Sequence, residues 1–240
     1  MSLFALKSNA GKWERLIADF SCLFFPEYCL GCSGSLVHGE EILCTECILN
    51  LPRTEYFFED ENPIKEKFIG RLPILHGGAF LKFRKTGIVQ HLLHQLKYNN
   101  HPEIGVRLGQ LFGMDMVKRG DNDFDIIIPM PLHKLREAKR GYNQSGKFAE
   151  GLSASMQIPY GDNLVERVKN TVTQTRKTKI ERWQNVADAF VVRTKAAIEN
   201  KRVLLVDDII TTGASLEACG QQLLNSGCKE LSIVCIAEAQ

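Results

Sequence analysis

No apolar stretch in these 240 residues reaches the roughly 18–20 positions needed to span a bilayer, so membrane insertion is not expected. A secretory signal is not expected either, since Lys7, Lys12, Glu14, Arg15 and Asp19 leave no long apolar segment near the start. Charge of one sign is also lacking, since 30 Lys and Arg face 28 Asp and Glu for a net charge of +2. That balance excludes a nucleic-acid footprint spread over the whole molecule and leaves only local cationic patches to consider. There is no internal repeat and no low-complexity segment, which excludes a solenoid array. With 44% hydrophobic and 24% charged residues, the composition is that of an ordinary globular protein of one or two domains, expected in the cytoplasm.

Cysteine is not scarce, but its placement argues against a disulfide framework. Four of the eight form Cys29-Leu-Gly-Cys32 and Cys44-Thr-Glu-Cys47, two CxxC turns separated by eleven residues that include Gly34 and Gly39. Each turn offers two sulfurs to one ion, so the set reads as a four-thiolate tetrahedral site for structural zinc. A thioredoxin-like redox pair would instead follow a buried strand of a βαβ unit, and neither turn does. Cys22, Cys219, Cys228 and Cys235 sit in apolar patterns and read as small core residues. Ahead of the thiolates, Trp13, Leu16, Ile17, Phe20, Leu23 and Phe24 recur at helical spacing. They predict an amphipathic helix over 11–25, ended by Pro26.

Residues 52–67, with two prolines and the acids Glu55, Glu59, Asp60, Glu61 and Glu66, read as a connector. The expected division is therefore 1–68, a helix plus a zinc-ribbon-like module, and 69–240, a larger domain. The larger part opens with a hairpin-like run over 76–87, then helical patterns at 88–98 and 103–118. A strand at 125–128, a helix at 143–156, and short strands near 163–168 and 188–193 follow. The chain closes with a strand at 202–206, a helix at 215–226 and a strand at 231–236. Strands alternating with helices predict an α/β fold with a parallel sheet flanked by helices.

The most informative stretch is Val203-Leu-Leu-Val-Asp-Asp-Ile-Ile-Thr-Thr-Gly-Ala-Ser215. Val203 to Val206 has the uninterrupted apolar character of a strand buried on both faces. Asp207 and Asp208 then fall at the carboxyl end of a parallel strand, where open α/β sheets bind ligands. Thr211, Thr212, Gly213, Ala214 and Ser215 supply hydroxyls and backbone N–H groups at a helix N-terminus, which favours a phosphate. A carboxylate pair beside a phosphate cradle suits a sugar phosphate, the acids accepting from vicinal hydroxyls while the loop holds the 5′-phosphate. The plain alternative is a strand–turn–helix with a polar cap.

Two cationic stretches accompany this motif. Residues 129–144 carry Lys134, Arg136, Lys139 and Arg140 in a loop after the strand at 125–128. Arg136 and Arg140 suit bidentate contacts with phosphate oxygens, although a solvated basic loop would have the same composition. Residues 172–186 carry Arg176, Lys177, Lys179 and Arg182, with little apolar periodicity. Such a loop suits closure over an anionic leaving group, with a plain surface loop as the alternative.

Residues 203–215 resemble the phosphoribosyl-pyrophosphate (PRPP) motif of the type I phosphoribosyltransferases: a hydrophobic strand, two acids and a Thr-Thr-Gly loop. Four motifs together resemble the ComF family over residues 13–240. They are the helix running into Phe25-Pro26 and the paired CxxC turns, the Pro129-x-Pro-Leu…Arg140-Gly-Tyr-Asn-Gln144 segment, the Gln174-Thr…Arg182-x-x-Asn-Val186…Ala189-Phe190 segment, and Asp207-Asp208…Thr211-Thr-Gly213. Tyr142 stands where the family often has Phe.

The resemblance implies a phosphoribosyltransferase that takes PRPP with Mg²⁺ and an acceptor of unknown identity, in the setting of DNA uptake during natural transformation. Carried over residue by residue, Cys29, Cys32, Cys44 and Cys47 hold zinc. Asp207, Asp208 and Thr211–Ser215 hold the ribose phosphate. Arg136, Arg140, Lys177 and Arg182 flank the pyrophosphate, which makes Asp207, Asp208, Lys177 and Arg182 the candidate catalytic set. A second expectation, from a different class, is a non-catalytic module gripping single-stranded DNA through Lys139, Arg140, Arg176, Lys177, Lys179 and Arg182. Tyr142, Trp183 or Phe83 would then be the stacking faces, and DNA-uptake or recombination proteins the partners. His91, His94, His101 and His133 show no ligand spacing and are given no role.

Overall fold

A computed structural model describes residues 27–168 and 189–239. The expected helix over 11–25, Cys22, Arg176, Lys177, Lys179, Arg182 and Trp183 lie outside the described residues, as does the side chain of Lys139. Contacts divide the chain into two compact units, Met1–Leu51 and Pro52–Gln240.

In the first unit, bridges join Tyr28 to Ser35 and Glu41 to Leu43, and a single turn of helix, α1 (Thr45–Leu49), follows. Its only buried hydrophobic residues among those described are Cys29, Leu43, Cys47 and Leu51. So small a set cannot order the segment by itself, which leaves the sulfurs as its organising centre.

The second unit begins with a 3-10 turn at Tyr56–Phe58 and the short helix α2 (Pro63–Glu66). Asn62 caps α2, its side-chain oxygen accepting from the N–H groups of Ile64 and Lys65 at 2.9 Å each. Then come β1 (Gly77–Phe83), α3 (Ile88–Tyr98), α4 (Pro102–Arg119), β2 (Ile126–Pro129), α5 (Lys134–Arg140) and α6 (Gln144–Met156). The chain continues through β3 (Val165–Arg167), β4 (Phe190–Val192), β5 (Arg202–Ile210), α7 (Ala214–Asn225) and β6 (Glu230–Ala239).

Four strands form one sheet in the order β1-β6-β5-β2, every neighbour parallel. The central strands β5 and β6 are buried on both faces, as their unbroken apolar runs require. Successive residues point to opposite sides. Val203, Leu205, Ile233 and Cys235 join Leu216, Cys219 and Leu223 of α7 in one buried cluster. Away from that cluster, Phe80, Phe112 and Phe148 stack in series, with centroid separations of 5.1 and 6.4 Å. β3 and β4 form a separate antiparallel pair.

The two long helices α4 and α6 cross at close range. A Cβ on Gly109 would fall 2.3 Å from the Phe148 carbonyl oxygen, and one on Gly151 would fall 2.0 Å from that of Val106. Only glycine permits this contact, which fixes α6 against α4 and with it the position of the α6 N-terminus near the end of β5.

Several expectations are corrected. The run 76–87 is no hairpin but a single strand, β1, paired in parallel with β6. Its glycines serve close packing, since a Cβ on Gly78 would meet Phe57 Cβ at 2.6 Å. The segment 129–144 is not all loop: Lys134–Arg140 is the helix α5, capped by the His133 side chain and closed by left-handed Gly141. The connector 52–67 contains α2, and Ile64 and Phe68 belong to the buried cluster of the second unit. Strand β5 runs through both acids to Ile210, because β6 pairs with it as far as Glu238.

Candidate functional site

The parallel register places Asp207 and Asp208 near the end of β5, at the carboxyl edge of the sheet. Since neighbouring side chains alternate, the two acids meet different partners. Asp207 Oδ1 accepts from Ser145 Oγ at 2.9 Å and from the Asp208 N–H at 2.8 Å. Burial, with the like charge of Asp208 second, pushes the Asp207 carboxyl up to about 7, against the pull of those two hydrogen bonds and Lys97. Asp208 Oδ2 instead pairs with Lys97 Nζ from the end of α3 at 2.9 Å. The Lys97 and Asp208 side chains are largely enclosed, 18% and 17% exposed, so this pair is better shielded from solvent than a surface ion pair.

Thr211 and Thr212 turn the chain, and Gly213 takes a left-handed φ of 76° as the N-cap of α7. A hollow of about 110 Å³ is lined by Asp207, Ile209, Ile210 and residues 211–216. Asp207 and the residues at the start of α7 thus line one concavity.

Arg136 of α5 acts on a group that Asp207 also influences. Burial lowers the Arg167 guanidinium first; the charge of Arg136 lowers it further while Asp207 opposes, so these three groups share one field. Arg140 is otherwise engaged: Nη1 donates to Gln144 Oε1 at 2.7 Å, and its guanidinium lies 5.7 Å from the Tyr98 ring centre. Tyr142 is half-buried, and its hydroxyl donates to the Leu96 carbonyl at 2.5 Å. Phe83 is half-buried. A larger cavity of about 690 Å³ opens between the α5–α6 junction and β3, with Lys134, Tyr142, Lys147, Arg167 and Arg193 on its wall. Glu166 on that wall pairs with both Lys134, at 2.9 Å, and Arg193.

Sequence reasoning missed Ser145 and Lys97. Each reaches the acids across more than 35 positions of chain from another element, and no local pattern announces it.

The four sulfurs Cys29, Cys32, Cys44 and Cys47 lie within 4.8 Å of one another. Cys32 Sγ and Cys44 Sγ are 3.7 Å apart. That is close to the edge of a zinc-thiolate tetrahedron, about 3.8 Å for Zn–S bonds of about 2.3 Å, and far beyond a disulfide bond. Backbone N–H groups of Gly31, Cys44, Gly34 and Cys47 point at the sulfurs over 3.2–3.4 Å, as ligating thiolates require. Burial raises the Cys29 thiol, but hydrogen bonds from Cys44, Cys32 and Gly31 bring it down to about 7; burial pushes Cys47 up. The donor set fits a metal ion such as zinc, with all four positions of a tetrahedron filled by protein.

The model of the phosphoribosyl transferase domain family matches residues 143–240. Competence protein F of Haemophilus influenzae is 30% identical over 233 residues, which cover 90% of this chain and 99% of that protein. The DNA utilization protein YhgH of Escherichia coli K12 is 29% identical over 149 residues, 60% of this chain and 65% of YhgH. Among solved structures, the glutamine PRPP amidotransferase of B. subtilis aligns over 60% of this chain and 30% of its own, at 19% identity and a TM-score of 0.42.

Proposed function

The chain belongs to the ComF family, and on that premise we propose that it binds PRPP with Mg²⁺ and transfers the phosphoribosyl group to an acceptor, in the context of DNA uptake. The observation that carries this reading is the acid pair at the end of β5 running directly into the Thr211–Ser215 hollow. Asp207 and Asp208 accept hydrogen bonds from the ribose hydroxyls, with Asp208 exchanging part of its Lys97 contact for a hydroxyl. The N–H and hydroxyl groups of residues 211–215 hold the 5′-phosphate. Arg136 and Arg140, with Lys177 and Arg182 outside the described residues, flank the pyrophosphate.

In the transfer, the C1–oxygen bond breaks and its electron pair leaves with pyrophosphate. The acceptor's lone pair forms the new bond to C1, and its proton passes to solvent. Positive charge developing at the ribose is stabilised by arranged carboxylates rather than by a covalent nucleophile. Mg²⁺ would enter with PRPP and would supply charge neutralisation for the leaving pyrophosphate. The zinc module is structural in this reading, because four thiolates leave no open coordination position. Calorimetric titration with PRPP, with and without Mg²⁺, tests the reading. Asp207→Asn with Asp208→Asn is expected to abolish binding in a folded protein, and unchanged affinity would remove the central claim.

A second reading, a single-stranded-DNA module, is favoured by one surface. Residues 67–102 contain no Asp or Glu, and within them Arg84 and Lys85 are exposed. Tyr98 is 65% exposed on α3, its ring 4.9 Å from that of His94 and beneath Arg140. An aromatic face among cations suits stacked bases and their phosphates. Binding that falls steeply with salt, and less steeply in Arg84→Ala/Lys85→Ala/Arg140→Ala, supports this reading; no binding at low salt eliminates it.

A further inference from the structure

Arg71 stands behind the Thr211–Ser215 loop, in the turn after α2, and no motif points to it. Its Nη1 donates to the Lys67 carbonyl at 2.8 Å and to the Thr212 carbonyl at 3.2 Å. Its Nη2 pairs with Glu217 in the first turn of α7, whose side chain is only 11% exposed. One planar guanidinium thus ties the α2 turn, the loop peptide and the helix that follows it. Phe68 packs from the same side: a Cβ on Gly213 would lie 2.9 Å from Phe68 Cζ.

Peptide geometry gives this contact a consequence. A trans peptide holds its C=O and the following N–H antiparallel, and no peptide among the described residues is cis. With the Thr212 carbonyl held toward Arg71, the Gly213 N–H is turned away from Arg71, and Thr212 and Gly213 both line the hollow of about 110 Å³. Among the described residues no backbone carbonyl accepts that N–H. We propose that Arg71, anchored by Glu217, is a positioning residue that sets the Thr212–Gly213 peptide plane so that its N–H receives the 5′-phosphate. The proposal rests on the reading of this loop as a phosphate cradle. A guanidinium is the group for the task, since its fixed fork donates in several directions at once. A lysine ammonium can keep the ion pair but does not reproduce that planar fork.

The test uses the full chain and three probes with Mg²⁺: PRPP, ribose 5-phosphate and inorganic pyrophosphate, titrated into wild type, Arg71→Ala, Arg71→Lys and Glu217→Gln. Ribose 5-phosphate and PRPP are expected to bind about tenfold more weakly to Arg71→Ala, the loss of roughly one charge-assisted hydrogen bond, while pyrophosphate affinity holds. Arg71→Lys is expected to recover part of the loss. A role in stability alone would lower the melting temperature without separating the two anions. Ribose 5-phosphate binding equally well to folded Arg71→Ala and wild type overturns the proposal. Should Arg71→Ala not fold, Glu217→Gln and Arg71→Lys give the same comparison. Wild type that binds neither sugar phosphate overturns the cradle reading itself, and the proposal with it, a result distinct from an indifferent Arg71.

Discussion

Asp207→Asn should make the protein more stable and, by the proposed reading, unable to bind its ligand, and the structure gives the size of the first effect. Burial and then the charge of Asp208 hold the Asp207 carboxyl at about 7 in the folded protein, against 3.8 ordinarily. Between about pH 4 and 7 the folded protein therefore binds a proton that the unfolded chain has released. The stability from that proton is full below pH 4 and lost as pH rises through 7. A shift of about 3 pH units corresponds to roughly 4 kcal/mol. Asparagine resembles the protonated acid in shape, and its Oδ1 can still accept from Ser145 Oγ and the Asp208 N–H. It carries no charge to desolvate and none to repel Asp208.

The variant is thus expected to exceed wild type at pH 8 by about 2–4 kcal/mol, and at pH 5 by half of that or less. Thermal unfolding followed by circular dichroism would read this as an upward shift of several degrees at pH 8. A variant less stable than wild type at pH 8, or stabilised equally at both pH values, would refute the reasoning. The same pKa sets ligand binding. At pH 6 only about a tenth of Asp207 is ionised before ligand arrives, so PRPP affinity is expected to be roughly tenfold weaker there than at pH 8.

Other outcomes follow from single contacts. Gly213→Ala puts a Cβ at a left-handed φ and against the Phe68 ring, so it should cost about 1–2 kcal/mol in urea unfolding and weaken ribose 5-phosphate binding; full affinity would argue against a close backbone approach to the anion. Cys44→Ser should lower the zinc content measured by elemental analysis and expose residues 27–51 to proteolysis, whereas metal-free wild type would end the zinc assignment. A truncated chain starting at residue 52 should be more stable in urea unfolding than one starting at 69, which lacks the buried Ile64 and Phe68, by several kcal/mol if each large apolar side chain carries its usual roughly 2–5 kcal/mol; equal stability would place the edge of the core later.

What could be read in the sequence follows the range of each interaction. The strand–acid–loop–helix unit of residues 202–225 was legible because strand, turn and helix cap are chemistry between neighbours in sequence. The CxxC turns were legible because Cys29–Cys32 and Cys44–Cys47 bring their sulfurs together locally, leaving only one loop to close. β1 was misread because its true partner, β6, begins about 150 residues later and leaves no local signal of the pairing. α5 was missed because its cations drew a chemical reading of a segment whose Glu137 and Gly141 also close a helical turn.

The site itself divides along the same line. The residues proposed to touch the sugar phosphate come from one continuous stretch, whereas those that tune and aim them come from elsewhere. Lys97 neutralises Asp208 from α3, Ser145 orients Asp207 from α6, and Arg71 turns the loop peptide from behind. None of the three has a local signature, since a lysine on a helix and an arginine in a turn look alike whether or not the fold carries them to an anion site. The α4–α6 glycines show how the fold does this: Gly109 and Gly151 act only by allowing two helices to touch, yet that contact seats α6 and so Ser145 beside Asp207. Replacing Gly151 by alanine therefore bears on the pKa of Asp207, through a helix displaced by the width of a methyl group.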